Sequence, residues 1–197
     1  MNLDAAKSFA LEYLINFVGP EFHYHNLSHT MDVFQSVSIL AISEKINQRD
    51  MVLLQTAALY HDLGIHADYY NHEEESIKII KSNLPDFEFI SSEIKIICKL
   101  VEDTNIPSNP KTKMGELLCD ADLDYLGRED FFEISDRLRK EREELGFKYL
   151  TEKEWYLFQL DFLENHCYYS TSSKKNRNEG KLHNIEKVSE ILISLEK

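Results

Sequence analysis

Four residues of this chain stand where burial is costly unless something compensates it: His29, His61, Asp62 and Asp122. Each falls in phase with apolar residues on a predicted helix. His29 shares a stripe with Val33, Val37 and Leu40. Leu54, Ala57 and Ala58 lead by helical steps to His61, with Asp62 beside it, and Leu118, Asp122 and Tyr125 share a third face. A carboxylate facing a core is neutralised, ion-paired or bound to a metal. Two imidazoles and two carboxylates converging from three helices make a coherent N2O2 site. Imidazole suits Mn, Fe, Co, Ni and Zn, and the oxygen ligands admit Mg or Mn. Four protein ligands leave positions open for water and substrate, as a catalytic site requires and a closed structural site does not. Taken singly, each histidine reads more readily as a hydrogen-bonded core residue, Asp62 as a cap and Asp122 as an arginine partner. The joint pattern is what favours a metal.

The elements that must position these residues are helical. Only six Gly and four Pro punctuate 197 residues, and apolar residues recur at three and four. Helices are predicted at about 3–18, 28–46, 50–62, 72–83, 87–103, 113–126, 128–145, 151–168 and 179–195. Breaks fall at Gly19-Pro20, Asn47–Asp50, Leu63–Asn71, Leu84-Pro85 and Pro107–Pro110, and the polar stretch Ser170–Asn178 reads as a mobile loop. Alternating strand patterns are missing. The fold class is all-α, a compact helical array, expected to form one domain over 1–197, with a motif-bearing core at about 22–142 completed by C-terminal helices at about 151–197.

Composition narrows the partners. With 35 Asp and Glu against 22 Lys and Arg, the net charge is −13, which argues against broad nucleic-acid binding or an anionic membrane surface. A small phosphorylated substrate remains compatible, because a bound metal reverses the field inside one pocket. The N-terminus lacks a basic leading segment and carries Asp4 and Glu12, unlike a signal peptide, and no apolar run has the length of a membrane span. Cys98, Cys119 and Cys167 are scattered without CxxC spacing and read as reduced thiols of a cytoplasmic protein. Amphipathic terminal helices permit a homodimer without demanding one.

The segments Tyr24-His25-Asn26-Leu27-Ser28-His29, Leu59-Tyr60-His61-Asp62-Leu63-Gly64 and Asp120-Ala121-Asp122-Leu123-Asp124-Tyr125-Leu126-Gly127 resemble, in order and separation, the H…HD…D signature of the HD-domain superfamily. The similarity is closest to the small bacterial branch of predicted HD phosphohydrolases, whose N-x-E-x-S-type segment stands here as Asn71-His72-Glu73-Glu74-Glu75-Ser76. It runs from about Phe22 to about Arg142, with a weaker echo near Arg177–Ile185. The resemblance implies a helical, metal-dependent phosphohydrolase with ligands His29, His61, Asp62 and Asp122. Asp122 is chosen over Asp120 because the superfamily's ligand follows Ala in its A-D-x-L pattern, and the helical phase agrees.

Several residues form a second tier. His66 and His72 follow the HD pair and reach toward a second ion, the substrate or solvent. Val101–Asn105 lacks the further His of two-metal relatives, so one divalent ion (Mn, Co, Ni, Fe, Zn or Mg) is expected. The acid that several relatives place soon after the HD pair is missing, which leaves Glu73 and Glu75 as candidate bases, each equally readable as a first-turn acid favoured by the helix dipole. His25, one turn before His29, is a candidate for phosphate contact. Lys78, Arg139, Arg142, Lys174, Lys175 and Arg177 are candidate substrate-binding cations, the last three as a mobile clamp, although Arg139 and Arg142 sit in the RLRKERE run whose default reading is a solvated helix face. The expected activity is hydrolysis of a phosphate ester or anhydride of a nucleotide or other small molecule through a metal-activated water. The alternatives are a regulatory module that binds a nucleotide without turnover and, less favoured for want of a sixth ligand, a di-iron oxygenase.

Overall fold

A computed structural model describes residues 1–196 of the chain. Among them are nine α-helices, two 3-10 turns and no strand. The helices are α1 (Leu3–Phe17), α2 (Leu27–Ser43), α3 (Gln48–Tyr60), α4 (His72–Asn83), α5 (Ser91–Asp103), α6 (Lys113–Asp122), α7 (Phe131–Glu144), α8 (Glu152–Asn165) and α9 (Thr171–Ser194), with the 3-10 turns at Leu84–Phe87 and Asp124–Gly127. No helix of the described residues is long and apolar enough to cross a membrane.

The all-α expectation holds, and α3 is the axis of the array. From Leu53 to Tyr60 every residue except Gln55 is buried, and the helix packs against α1, α2, α5 and α6. A helix that is apolar on all sides has no face to give to water. Around it lies one apolar cluster that includes Ala10, Val37, Leu54, Ala57, Leu100 and Leu118. A second cluster, with Tyr125, Phe131, Leu163, Tyr168 and Val188, ties the last three helices to the 124–127 turn. Tyr24, just ahead of α2, belongs to this second cluster, so the stretch that carries the first motif touches both.

Two expected boundaries shift for tertiary reasons. The sixth predicted helix stops at Asp122 and tightens into the 3-10 turn, where Gly127 lies against α9. A Cβ on Gly127 would meet Arg177 O at 2.4 Å, and one on Gly180 would meet Gly127 O at 2.2 Å, so both positions require glycine for this close approach. Residues 171–178, expected as a loop, are instead the first two turns of α9. Ser170 caps the helix by accepting from Ser173 N. Asp120, fully buried, accepts from Tyr169 N at 2.7 Å and Ser170 N at 2.8 Å. Arg177 forks onto Asp124 at 2.6 and 2.9 Å. These partners come from distant sequence and override the polar composition of the stretch.

Candidate metal centre and adjoining cavity

Local turn chemistry delivers each cluster residue. Asn26 is the N-cap of α2: its side-chain oxygen accepts from Ser28 N and His29 N, and its amide donates to Phe22 O and His23 O. His29 is thereby fixed in the first turn of α2. His61 is the C-terminal cap residue of α3, and its Nδ1 donates to Ala58 O at 2.9 Å, which leaves Nε2 as the ligand nitrogen. Asp62 follows on the turn that closes the helix. Gly64 then lets α4 approach: a Cβ there would meet His72 O at 2.4 Å and Ser76 N at 2.5 Å, and Gly64 N donates to Ser76 Oγ. Asp122 closes α6.

The four side chains converge. His29 Nε2 lies 3.3 Å from Asp62 Oδ2 and 3.1 Å from Asp122 Oδ1. His61 Nε2 lies 3.1 Å from Asp62 Oδ2 and 3.4 Å from Asp122 Oδ1. The two imidazole nitrogens are 3.3 Å apart. Bonds of about 2.1 Å at angles of about 90–110° around one cation place neighbouring ligand atoms about 3.0–3.4 Å apart. The separations within His29, His61 and Asp122, whose ligand atoms all lie within 4.8 Å of one another, therefore fit a shared ion, and Asp62 Oδ2 adjoins that set through both imidazoles. Asp62 Oδ2 is also sealed from solvent without a hydrogen bond of good geometry, a costly position for a carboxylate oxygen unless a cation meets it. Burial would lower His29, yet its contacts with Asp122 and Asp62 hold it up at about 9. His61 is raised well above its usual value by the same carboxylates against the same burial. Burial would raise Asp62 and Asp122, and the facing imidazoles instead hold both below the usual carboxylate range.

A cavity of about 430 Å³ opens from this cluster. Its near wall is Asp62, Asp122, His72, Glu73, His25, Tyr24 and Tyr125; its far wall is Leu138, Arg142, Phe158, Gln159 and Phe162 from α7 and α8, with Thr104–Ile106 between. His72 donates from Nδ1 to Tyr69 O and turns Nε2 to Asp62 Oδ1 at 3.3 Å. Burial would lower His72, and Asp62 holds it up at about 9. Glu73 is buried with Oε2 unpartnered. His25 gives Nδ1 to Glu141, whose other oxygen accepts from Tyr24 N and His25 N. A smaller cavity of about 220 Å³ also reaches His29, but its Arg128 is taken up by Asp32 and Asp130.

The family model of the HD domain matches residues 26–126, just over half of the chain and all four cluster residues. The chain belongs to the HD domain family. Solved structures of like fold span nearly all of it. A predicted HD superfamily hydrolase from an uncultured Thermotogales bacterium is 20% identical with a TM-score of 0.64, over 98% of this chain and 93% of that one. YpgQ of Bacillus subtilis, solved in complex with ADP, is 15% identical with a TM-score of 0.68, over 96% and 94%. A protein of Lactobacillus plantarum is 16% identical with a TM-score of 0.72, over 98% and 96%. At these identities the likeness is one of fold. A search of curated proteins finds no match.

Several second-tier expectations meet a different geometry in this HD domain. Glu75 and Lys78 pair with each other on α4 and do not line the cavity. Lys174 donates to Tyr169 O, Arg177 is committed to Asp124, and Lys175 is exposed; none of the three lines the cavity, and their stretch is helix rather than clamp. Asp120, set aside as a ligand, is buried outside the cluster and anchors α9 through hydrogen bonds. Arg142, expected on a solvated face, lines the cavity instead and lies over the rings of Phe147 and Phe158. Glu141 was hidden in the same charged run. The phase Ile134, Leu138, Glu141, Leu145 marks it as inward, and it is 0% exposed. Gln159 carried no signal beyond lying between Phe158 and Phe162.

Proposed function

We propose that this chain is a metal-dependent phosphohydrolase acting on a phosphate ester or anhydride of a small molecule, a nucleotide foremost, with one divalent ion held by His29, His61, Asp62 and Asp122. The observation that carries the reading is the set of separations of 3.1–3.4 Å that brings His29, His61 and Asp122 together, with Asp62 Oδ2 at 3.1 and 3.3 Å from the two imidazoles, at the inner end of a cavity. The whole chain acts as one unit in this reading, since the cavity takes its walls from the segment ahead of α2, the turn after α3, α4 and the end of α6 on one side and from α7 and α8 on the other. YpgQ, a structure of like fold, holds ADP, which is in keeping with a nucleotide here.

A divalent ion in this position supplies a water of lowered pKa and polarises a phosphoryl oxygen. The chain's own residues do the rest. Asp62 uses Oδ2 within the cluster and offers Oδ1 on the cavity side to hold the attacking water by a hydrogen bond. Glu73, a buried carboxylate on the same wall with an unpartnered oxygen, accepts the proton of that water, with His72 fixing its orientation from 3.5 Å. His25 has its Nδ1 proton committed to Glu141, so Nε2 is the edge turned to the cavity, where it exchanges a proton with the leaving-group oxygen.

The test strips the protein of metal, reloads it separately with Mn, Co, Ni, Mg, Zn and Fe, and measures phosphate release from nucleotides and sugar phosphates beside an Asp62→Ala variant. Release that depends on metal and vanishes in the variant is expected. One tightly bound ion without release of phosphate from any compound would favour the non-catalytic nucleotide-binding module, and two irons with oxygen consumption would favour an oxygenase.

A further inference from the structure

The far wall of the cavity holds a polar group that the reaction at the cluster does not use. Gln159 is 2% exposed and lines the cavity. Among the described residues its side-chain amide makes no hydrogen bond, yet it is not one of the sealed polar atoms, so what little it exposes opens on the cavity. A buried amide without partners is an unfavourable arrangement unless water or a ligand completes it.

What surrounds the amide narrows the ligand. Phe158 and Phe162 precede and follow Gln159 on α8, one helical turn apart, and both line the cavity. Leu138, Ile106 and Leu123 supply further apolar wall. A primary amide presents one acceptor and two donors in a plane. Its complement is a flat ring with a donor and an acceptor side by side on one edge, and flat rings are what phenyl walls receive. A sugar or alkyl phosphate would bring no such edge to the amide and would leave the phenyl rings unfilled. The volume, about 430 Å³, lies within the roughly 300–1,000 Å³ of small-molecule sites.

We propose that Gln159 is a specificity-determining residue that reads the hydrogen-bonding edge of a nucleobase held between the aromatic side chains of α8, while the phosphate end of the same molecule lies at the His29–Asp122 cluster. The placement of the phosphate end rests on the phosphohydrolase reading; the recognition of the ring rests on Gln159 and its walls alone.

The experiment compares wild type with Gln159→Leu, which keeps approximate shape and removes both hydrogen-bonding groups, and Gln159→Glu, which replaces the donor by an acceptor. The probes are AMP, GMP, CMP, UMP and ribose 5-phosphate, which lacks the base. Two readouts are taken: kcat/KM for phosphate release by metal-loaded protein, and calorimetric affinity for metal-free protein. Wild type is expected to favour at least one nucleotide over ribose 5-phosphate. Gln159→Leu lowers that ratio by at least about 30-fold, mostly through KM, with the melting temperature kept. Gln159→Glu changes the rank order of the four bases. Should Gln159→Leu fail to fold, the wild-type ratio and the Gln159→Glu rank order decide. Phosphate release without preference for any base over ribose 5-phosphate, or a preference that survives loss of the amide, overturns the inference and leaves the hydrolase reading standing. Gln159-dependent binding of a nucleotide without release sustains the inference and removes these monophosphate esters from the substrates of the hydrolase reading. Neither binding nor release of any nucleotide sinks the inference as well.

Discussion

His29, buried inside the cluster, and His166, half-buried at the end of α8, both face a cost for carrying a charge away from water. His29 nevertheless stays at about 9, because burial is outweighed by its contacts with Asp122 and Asp62. His166 is pushed down to about 4, first by burial and then by the Lys181 ammonium. Its Nδ1 is sealed without a partner, and its ring lies against Phe162 and Tyr168. Depth of burial alone would give the opposite order, since the more deeply buried His29 is the one that keeps its proton; the neighbours decide. Imidazoles that keep protons only because carboxylates face them are imidazoles whose protons a divalent cation can replace. An imidazole with an ammonium for its nearest charge is held neutral and serves packing. The contrast separates, among the eight histidines, the ones that belong to chemistry from one that belongs to the core.

Removing a carboxylate from the cluster breaks the contrast most severely. Asp62→Ala takes away the oxygen that lies 3.1 and 3.3 Å from the two imidazoles. The several kcal/mol of Lewis-acid stabilisation lost with the ion correspond to a drop of roughly a thousandfold or more in kcat/KM. Elemental analysis after gel filtration is expected to show the metal gone as well. A variant that kept its metal and its rate would remove the cluster from the mechanism.

The raised imidazoles also set the pH dependence of metal binding. With His29 at about 9 and His61 raised in the same direction, both carry protons at pH 7 in the metal-free protein. Each must lose its Nε2 proton before that nitrogen can bind a cation. Metal affinity therefore rises with pH, by about two log units per pH unit while both rings are protonated, and the slope flattens once the pH passes their values. Calorimetry in buffers of different ionisation enthalpy measures the same release directly. A pH-independent affinity would mean that the carboxylates do not hold the imidazoles protonated, and the contrast with His166 would fail.

A smaller effect is expected one layer out. Glu141→Gln keeps an acceptor for Tyr24 N and His25 N but gives the His25 Nδ1 proton a neutral partner in place of a carboxylate. Loss of a positioned proton donor costs roughly a hundredfold in kcat, and weakening a buried charged hydrogen-bond network costs about 1–3 kcal/mol of stability. Steady-state rates across pH, read beside a thermal melt, separate the two. The bound metal should be unchanged, because Glu141 contacts none of the four cluster residues.

The cluster was legible in sequence because its residues break a rule: ionisable side chains recur on apolar stripes, and three short segments repeat a known order. Asn26 and Gly64 were legible as parts of those segments, though their work, capping α2 and admitting α4, is visible only in three dimensions. The partners that α7 and α8 bring to the site were not legible. Glu141 sits in a run of alternating charges whose composition points to solvent, and only the weak phase of Ile134 and Leu138 points inward. Gln159 is a neutral amide between two phenylalanines, and its meaning comes from a cavity built with α7 and the Thr104–Ile106 segment. The polar start of α9 reads as a loop in sequence because the carboxylates that order it, Asp120 and Asp124, lie far back in the chain. Periodicity reports what one element does with its own faces; it is silent on partners from elsewhere.

The mildest way to sharpen the comparison is at His166 itself. Its folded value of about 4 lies below the ordinary histidine value of 6.5, so the unfolded chain binds the proton first as the pH falls. Its neutral state costs the fold nothing above the unfolded value. Between about 6.5 and 4 the unfolded state gains protons that the folded state refuses, and stability declines; below the folded value the loss is complete. With allowance for the partial exposure of the ring, the loss is on the order of 1–2 kcal/mol. Urea unfolding of wild type and His166→Asn at pH 7 and pH 4.5 isolates it from the carboxylates, which titrate alike in both proteins. Wild type is expected to lose more stability than the variant between the two pH values. Parallel losses would show that His166 accepts a proton in the folded chain, and the neighbours of an imidazole, rather than its depth, would no longer be what divides the two ends of this molecule.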